Sequence, residues 1–297
     1  MRMIFLSGLS ALVLAACDDS RPGDTSVPPV AAPESAEATG SQSLELLWTA
    51  SGFEQPEGAE QAPGGGYFIS NIGPGEAGDL DGNGYITRLN ADGTIASAKF
   101  AAGLHGPAGL VVHEGVLYAA DRDGVAMIDA ATGEVKGKVA VEGAQFLNDM
   151  TVFGGEVLVS DSGTATIHRI TPEGASLFAY SADWAGINGI LGAGDRLLIT
   201  TMTEGKLIAW HNTETDEDVI ATGMIDADGV GLVPGGGYLV SSWPGQIHHV
   251  SDDGTVTTLV DTKEQGILQN DLSVFGNIVI VPNWEPGTVT AWRIVAE

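Results

Sequence analysis

The passage from Phe146 to Asp161, FLNDMTVFGGEVLVSD, returns at Leu268 to Asn283 as LQNDLSVFGNIVIVPN. Both copies carry an Asn-Asp pair, a Val-Phe-Gly turn and a nearly unbroken apolar run. A chain that says this twice builds the same local unit more than once, which restricts it to duplicated or repetitive folds. Equivalent apolar runs occur in YFISN, VLYAAD, VLVSD, LLITT, YLVSS and IVIVPN. Ahead of each lies a short pair: Glu57-Gly58, Ala108-Gly109, Asn148-Asp149, Asn188-Gly189, Asp228-Gly229 and Asn270-Asp271. The two passages are thus the third and sixth members of a six-fold series whose period is near forty residues, as in propeller repeats.

Each unit reads as strands and tight turns, with no sustained 3.6-residue periodicity. The apolar runs do not alternate with polar residues, as expected for strands covered on both faces. Asp-Gly, Thr-Gly and Glu-Gly pairs supply hairpin turns. The pattern predicts an all-β, six-bladed β-propeller, each unit forming one radial blade. The sixth unit stops at TVTAWRIVAE without an outer strand, and SLELLWTA (Ser43 to Ala50) precedes the first unit without a sheet. An N-terminal strand completing the last blade would account for both and remove an exposed edge. The expected propeller domain is 44–297.

The N-terminus has a different character. Met1 and Arg2 precede the apolar run MIFLSGLSALVLAA, which is short for a membrane span and reads as an export signal. Leu14-Ala15-Ala16-Cys17 resembles the lipobox of bacterial lipoproteins, which implies a signal peptide over 1–17, lipidation of Cys17, and a place in the cell envelope, lipid-anchored and facing the periplasm or exterior. Cys17 is the one cysteine in the chain, so a lipid thioether leaves no thiol for a disulfide or for catalysis. Residues 18–43, rich in Pro, Ser, Ala and acidic side chains, read as a disordered tether.

With 39 acidic against 12 basic residues the formal charge is −27, which repels nucleic acid and suits a solvated surface or attraction for cations. A monomer is expected.

In a propeller, equivalent positions of the innermost strands converge on one axis. Here they are Glu57, Ala108, Asn148, Asn188, Asp228 and Asn270, and all but Ala108 offer oxygen. Two carboxylates and three amides, with no His or Cys, form a hard donor set suited to a divalent cation such as calcium. The plainer alternative is strand-initiating polarity around ordered water. The order Glu57, Asn148, Asn188, Asp228 in QPEG, LND, ING and ADG resembles the calcium-centred site of the senescence marker protein and gluconolactonase family of six-bladed propellers, to which diisopropyl fluorophosphatase is similar. That resemblance spans the chain from the first blade to the end. It implies Glu57, Asn188 and Asp228 as metal ligands, Asn148 as ligand or substrate contact, and a metal-dependent hydrolase of lactones or related small-molecule esters. Asn270 is a further candidate ligand by its ring position. Two positions depart from the pattern: Phe146 stands where gluconolactonases of this family carry a sugar-binding arginine, and Ala108 where the related paraoxonases carry a histidine. Asp228, then Glu57, are the candidate catalytic bases for water activation.

The loops between second and third strands should open at the same end as the ring. Trp243 and Trp284 fall there, as pocket-lining aromatics or as packing between blades, and Asp121 and Asp161 lie at strand ends. In the long first-blade loop, Asp79, Asp81 and Asn83 resemble the first half of an EF-hand loop. Asn90 stands where the full motif wants its glutamate, so the alternatives are a weak calcium clip and a Gly-rich turn. The competing functional reading is a non-enzymatic envelope propeller that binds a ligand or protein, any calcium being structural.

Overall fold

A computed structural model describes residues 42–76, 78–212 and 217–296. Six antiparallel sheets follow one another along these residues, making the molecule an all-β propeller of six blades. Helical structure among the described residues is limited to the single 3-10 turns Ala182–Trp184 and Lys263–Gln265. Cys17 and nearly all of the expected tether lie outside the described residues. No helix of the described residues is long and apolar enough to cross a membrane.

The second strand of each blade explains the unbroken apolar runs. Phe68 and Leu117 meet in one buried cluster between the first two blades, Leu158 and Leu197 in another, and Tyr67 and Ile280 in a third that joins the first blade to the sixth. Each sheet therefore buries both faces against its neighbours. The core is a set of interblade layers, in which fully burying one such side chain is worth roughly 1.5–3 kcal/mol.

The innermost strands are Pro56–Gln61, Leu110–His113, Leu147–Phe153, Ile187–Ala193, Ala227–Leu232 and, in the sixth blade, the broken pair Leu268–Gln269 and Ser273–Phe275. Strand Gln42–Ser51 pairs antiparallel with Thr288–Ala296 and forms the outermost strand of the sixth blade. It begins at Gln42, ahead of the boundary read at Ser43. The first and last strands of the described chain thus lie side by side in one sheet, with an exposed Glu45–Arg293 ion pair across them.

Candidate functional site

The ring residues fall where the inner strands are irregular. Register shifts interrupt the pairing between Pro56 and Ala59, Leu147 and Met150, Ile187 and Ile190, and Ala227 and Val230. Such an irregularity frees one residue from the ladder and re-aims its side chain. The freed backbone groups are met by hydroxyls near the ends of the second strands. Ser70 Oγ accepts the Gly58 N–H at 2.7 Å, Ser160 Oγ the Asp149 N–H at 2.9 Å, and Ser241 Oγ the Gly229 N–H at 2.8 Å. Ser160 also donates to the Asn188 carbonyl of the next blade, and Thr200 to the Asp228 carbonyl. These hydroxyls, read from sequence only as strand residues, hold the ring backbone in place.

The glycines beside the ring serve close approach. A Cβ at Gly58 would lie 2.7 Å from the Ala108 carbonyl oxygen, and one at Gly229 would lie 1.9 Å from Asp271 Oδ1. In the third and sixth blades an aspartate occupies the glycine position and faces the glycine of the preceding blade: Asp149 against Gly109, Asp271 against Gly229. This is why the Asn-Asp passage occurs twice. The Asn joins the ring, and the Asp fills the next layer along the channel.

Glu57, Asn148, Asn188, Asp228 and Asn270 are all buried and all line one cavity of about 290 Å³. Glu57 Oε2 and Asp228 Oδ1 are buried with no hydrogen-bond partner. Burial pushes the Glu57 carboxyl well above its ordinary range, and the nearby Asp228 charge adds to this while Arg122 opposes it. Burial likewise pushes Asp228 up to about 7, helped by Asp149 and Asp226. Two buried carboxylates that line one cavity, each with an orphaned oxygen, require a proton or a cation there. Among the described residues no three His, Cys, Asp or Glu side chains converge as a metal cluster, so a cation here would be held by two carboxylates and neutral amide oxygens. That donor set fits a hard divalent ion.

Further along the channel, Asp149 and Asp271 line a second cavity with Glu60. Burial raises Asp149 to about 7 and Glu60 to about 8, and holds Asp271 well above the usual range. Asp149 is committed structurally, its oxygens accepting the N–H groups of Met150 and Ile190.

A second circle of residues forms the rim. Asn71, Asp161, Thr201, Ser242 and Asn283 each pair with the residue just before the ring position of their blade. In five blades the residues that follow these positions, or that follow Asp121 in the second blade, are Ile72, Arg122, Met202, Trp243 and Trp284, and they line the cavity. In the third blade that position is Ser162, whose hydroxyl donates to the Ile187 carbonyl, and Phe146 takes its place at the rim. Trp243 and Trp284 meet edge to face, ring centroids 5.9 Å apart. The Arg122 guanidinium lies 4.3 Å over the Phe146 ring. The sequence reading passed over Ile72, Arg122 and Met202; stepping one residue beyond each strand end would have found them.

Asp121 and Asp161 do not line the cavity. Asp121 is fully buried and accepts the N–H groups of His105, Gly106 and Arg122 and the Lys138 ammonium. Burial opposes its charge, yet Lys138 and these N–H groups hold it below the usual range. Asp161 accepts the N–H groups of Gln145, Phe146 and Gly163 and the Thr164 hydroxyl. These carboxylates fix the backbones of Arg122 and Phe146. In the first-blade loop, Asp81 accepts the Asn83 N–H, and the Asn83 amide donates to the Pro74 carbonyl and to Asp81. Asp79 is exposed, with its N–H donating to the Glu76 carbonyl. None of the three lines the ring cavity.

No protein-family model and no curated protein matches the sequence. Solved propeller structures do match it. A gluconolactonase from Xanthomonas campestris is 17% identical with TM-score 0.62, covering 85% of this chain and 89% of its own. The PQQ-bound aldose sugar dehydrogenase from Streptomyces coelicolor is 14% identical with TM-score 0.64, covering 86% and 99%. Virginiamycin B lyase from Staphylococcus aureus is 12% identical with TM-score 0.63, covering 86% and 100%. At these identities the likeness establishes the propeller fold.

Proposed function

We propose that this chain is a divalent-cation-dependent hydrolase of lactones or related esters, with calcium the expected ion, tethered to a bacterial membrane through Cys17. The observation that carries the reading is the pair of partnerless buried oxygens, Glu57 Oε2 and Asp228 Oδ1, on one cavity with three amide side chains. Glu57, Asn148, Asn188 and Asp228, with Asn270 beside them, would hold the ion. When bound, it would supply Lewis acidity to polarise a carbonyl oxygen. Asp228, through an oxygen not engaged by the ion, would serve as the general base. Its task is to take a proton from water entering the cavity. Asn148 and Asn188 can orient a bound ester through amide hydrogen bonds. The aromatic and aliphatic rim excludes bulk water and strengthens these interactions.

The test is a calorimetric calcium titration of the purified protein, repeated on Glu57→Gln/Asp228→Asn and on Asp79→Ala/Asp81→Ala, followed by a lactone, ester and phosphotriester screen. The reading expects binding to vanish in the ring pair and survive in the loop pair, and hydrolysis to be lost in Asp228→Ala with the fold intact. Calcium binding lost only with the loop pair, or a protein inert across the screen, sinks it and leaves an envelope binding protein.

A further inference from the structure

The ring cavity has a polar floor and an apolar wall. Glu57, Asn148, Asn188, Asp228 and Asn270 make the floor, while Ile72, Phe146, Met202, Trp243 and Trp284 make most of the wall. We propose that this cavity takes an uncharged ester with an apolar body, an alkyl- or aryl-substituted lactone, and rejects polyhydroxylated sugar lactones. Calling that ligand a substrate rests on the hydrolase reading, whereas the selectivity rests on the wall.

Two observations carry this. First, the polar side chains between floor and wall are used by the blades themselves. Asn71, Thr201, Ser242 and Asn283 are buried, and none of them lines the cavity. The Asn71 amide donates to the Ile69 carbonyl and the Thr87 hydroxyl, and its oxygen accepts the Glu54 N–H. Ser242 Oγ lies 3.1 Å from His248 Nε2, Asn283 Nδ2 donates to Thr288 Oγ1, and Thr201 Oγ1 accepts the Lys206 N–H. In these four blades the hydrogen-bonding residue is thus kept within the blade, and the apolar residue after it lines the cavity. Second, Arg122, the one cation lining the cavity among the described residues, is already answered within the chain. The Glu57 and Asp121 carboxylates stabilise its charge, and its guanidinium lies 4.3 Å over the Phe146 ring. A ligand's carbonyl can reach the polar groups of the floor. Hydroxyls placed against the wall would lose their water without gaining a partner, whereas each methylene buried there tightens binding about four-fold. The cavity, about 290 Å³, is at the small end for ligand sites, which limits the body to one ring with a short side chain.

The test is a calorimetric titration of the full-length protein in calcium with lactams, which keep the ring carbonyl of a lactone and resist hydrolysis: 2-piperidone, 6-propyl-2-piperidone and D-glucono-δ-lactam. The propyl chain should tighten binding by about four-fold for each methylene that the wall covers. The glucono compound should bind at least about ten-fold more weakly than the propyl compound. Phe146→Gln/Met202→Gln, at two wall positions that are not fully buried, should shrink that preference by about five-fold or more. Either single variant serves should the pair not fold. The proposal is overturned if the wild type binds none of the three compounds, if the glucono lactam binds as tightly as the propyl lactam, or if the preference survives undiminished in the polar variants. Hydrolysis of δ-octalactone and glucono-δ-lactone, followed alongside, separates the two readings. Turnover confined to the sugar lactone keeps the hydrolase and overturns the selectivity, while the binding preference without turnover of either keeps the selectivity and discards the hydrolase.

Discussion

Asp149 of the third blade accepts the backbone N–H of Ile190, in the inner strand of the fourth, at 2.8 Å. Its other oxygen accepts the N–H of Met150 at 2.7 Å. One buried side chain therefore satisfies donors on two adjacent blades where the inner-strand ladders are interrupted. Removing it as Asp149→Ala strands both, at about 1–3 kcal/mol for each unsatisfied buried group. Urea unfolding should show a loss of about 2–6 kcal/mol. Asp149→Asn, which keeps one acceptor oxygen, should lose less than Asp149→Ala.

The same carboxylates make stability depend on pH. Asp149 and Asp228 titrate near 7 in the folded chain, against about 3.9 for an unfolded aspartate. The folded state thus holds these protons more tightly than the unfolded one. Their contribution is fully present below about pH 4 and is lost as pH rises towards 7. In EDTA the melting temperature should therefore fall between about pH 5 and pH 7.5, with the loss reduced in Asp228→Asn. A divalent ion competes with these protons, so calcium should flatten the slope and release protons, read as a binding enthalpy that varies with the buffer's ionisation enthalpy. A melting temperature that rises over this interval in EDTA would contradict the burial of these groups.

The glycine beside Asp228 offers a sharper steric test. A methyl group at Gly229 would sit 1.9 Å from Asp271 Oδ1, which itself accepts the Leu272 N–H. Gly229→Ala should cost about 1–3 kcal/mol by overpacking. Combining it with Asp271→Gly, which recreates the spacing of the other blades, should recover part of that loss, giving non-additive energies in a double-mutant cycle.

The ring was legible in the sequence because the repeat keeps its register: Glu57, Asn148, Asn188, Asp228 and Asn270 occupy one frame, and chemistry of one kind recurs in it. The rim uses the same frame but not the same chemistry. Ile72, Arg122, Met202, Trp243 and Trp284 share a position and little else, so only the two tryptophans drew notice. At the third blade the frame itself fails, since Ser162 turns to bond the Ile187 carbonyl and Phe146 enters from another loop. Ser70, Ser160, Thr200 and Ser241 were hidden for a different reason. A hydroxyl within an apolar strand looks like tolerated polarity until the interrupted ladder beside it is seen.

Trp243 and Trp284 belong to different blades, and their perpendicular contact, with an interplanar angle of 89°, joins the turn after one second strand to the end of the next. An edge-to-face pair of this kind contributes about 0.5–1.5 kcal/mol beyond its buried area. A cycle of Trp243→Leu, Trp284→Leu and the double variant should return a coupling of about that size in urea unfolding, because each leucine keeps apolar bulk and removes the ring quadrupole. Far-ultraviolet circular dichroism should lose the same exciton feature in either single variant, since the signal needs both indoles.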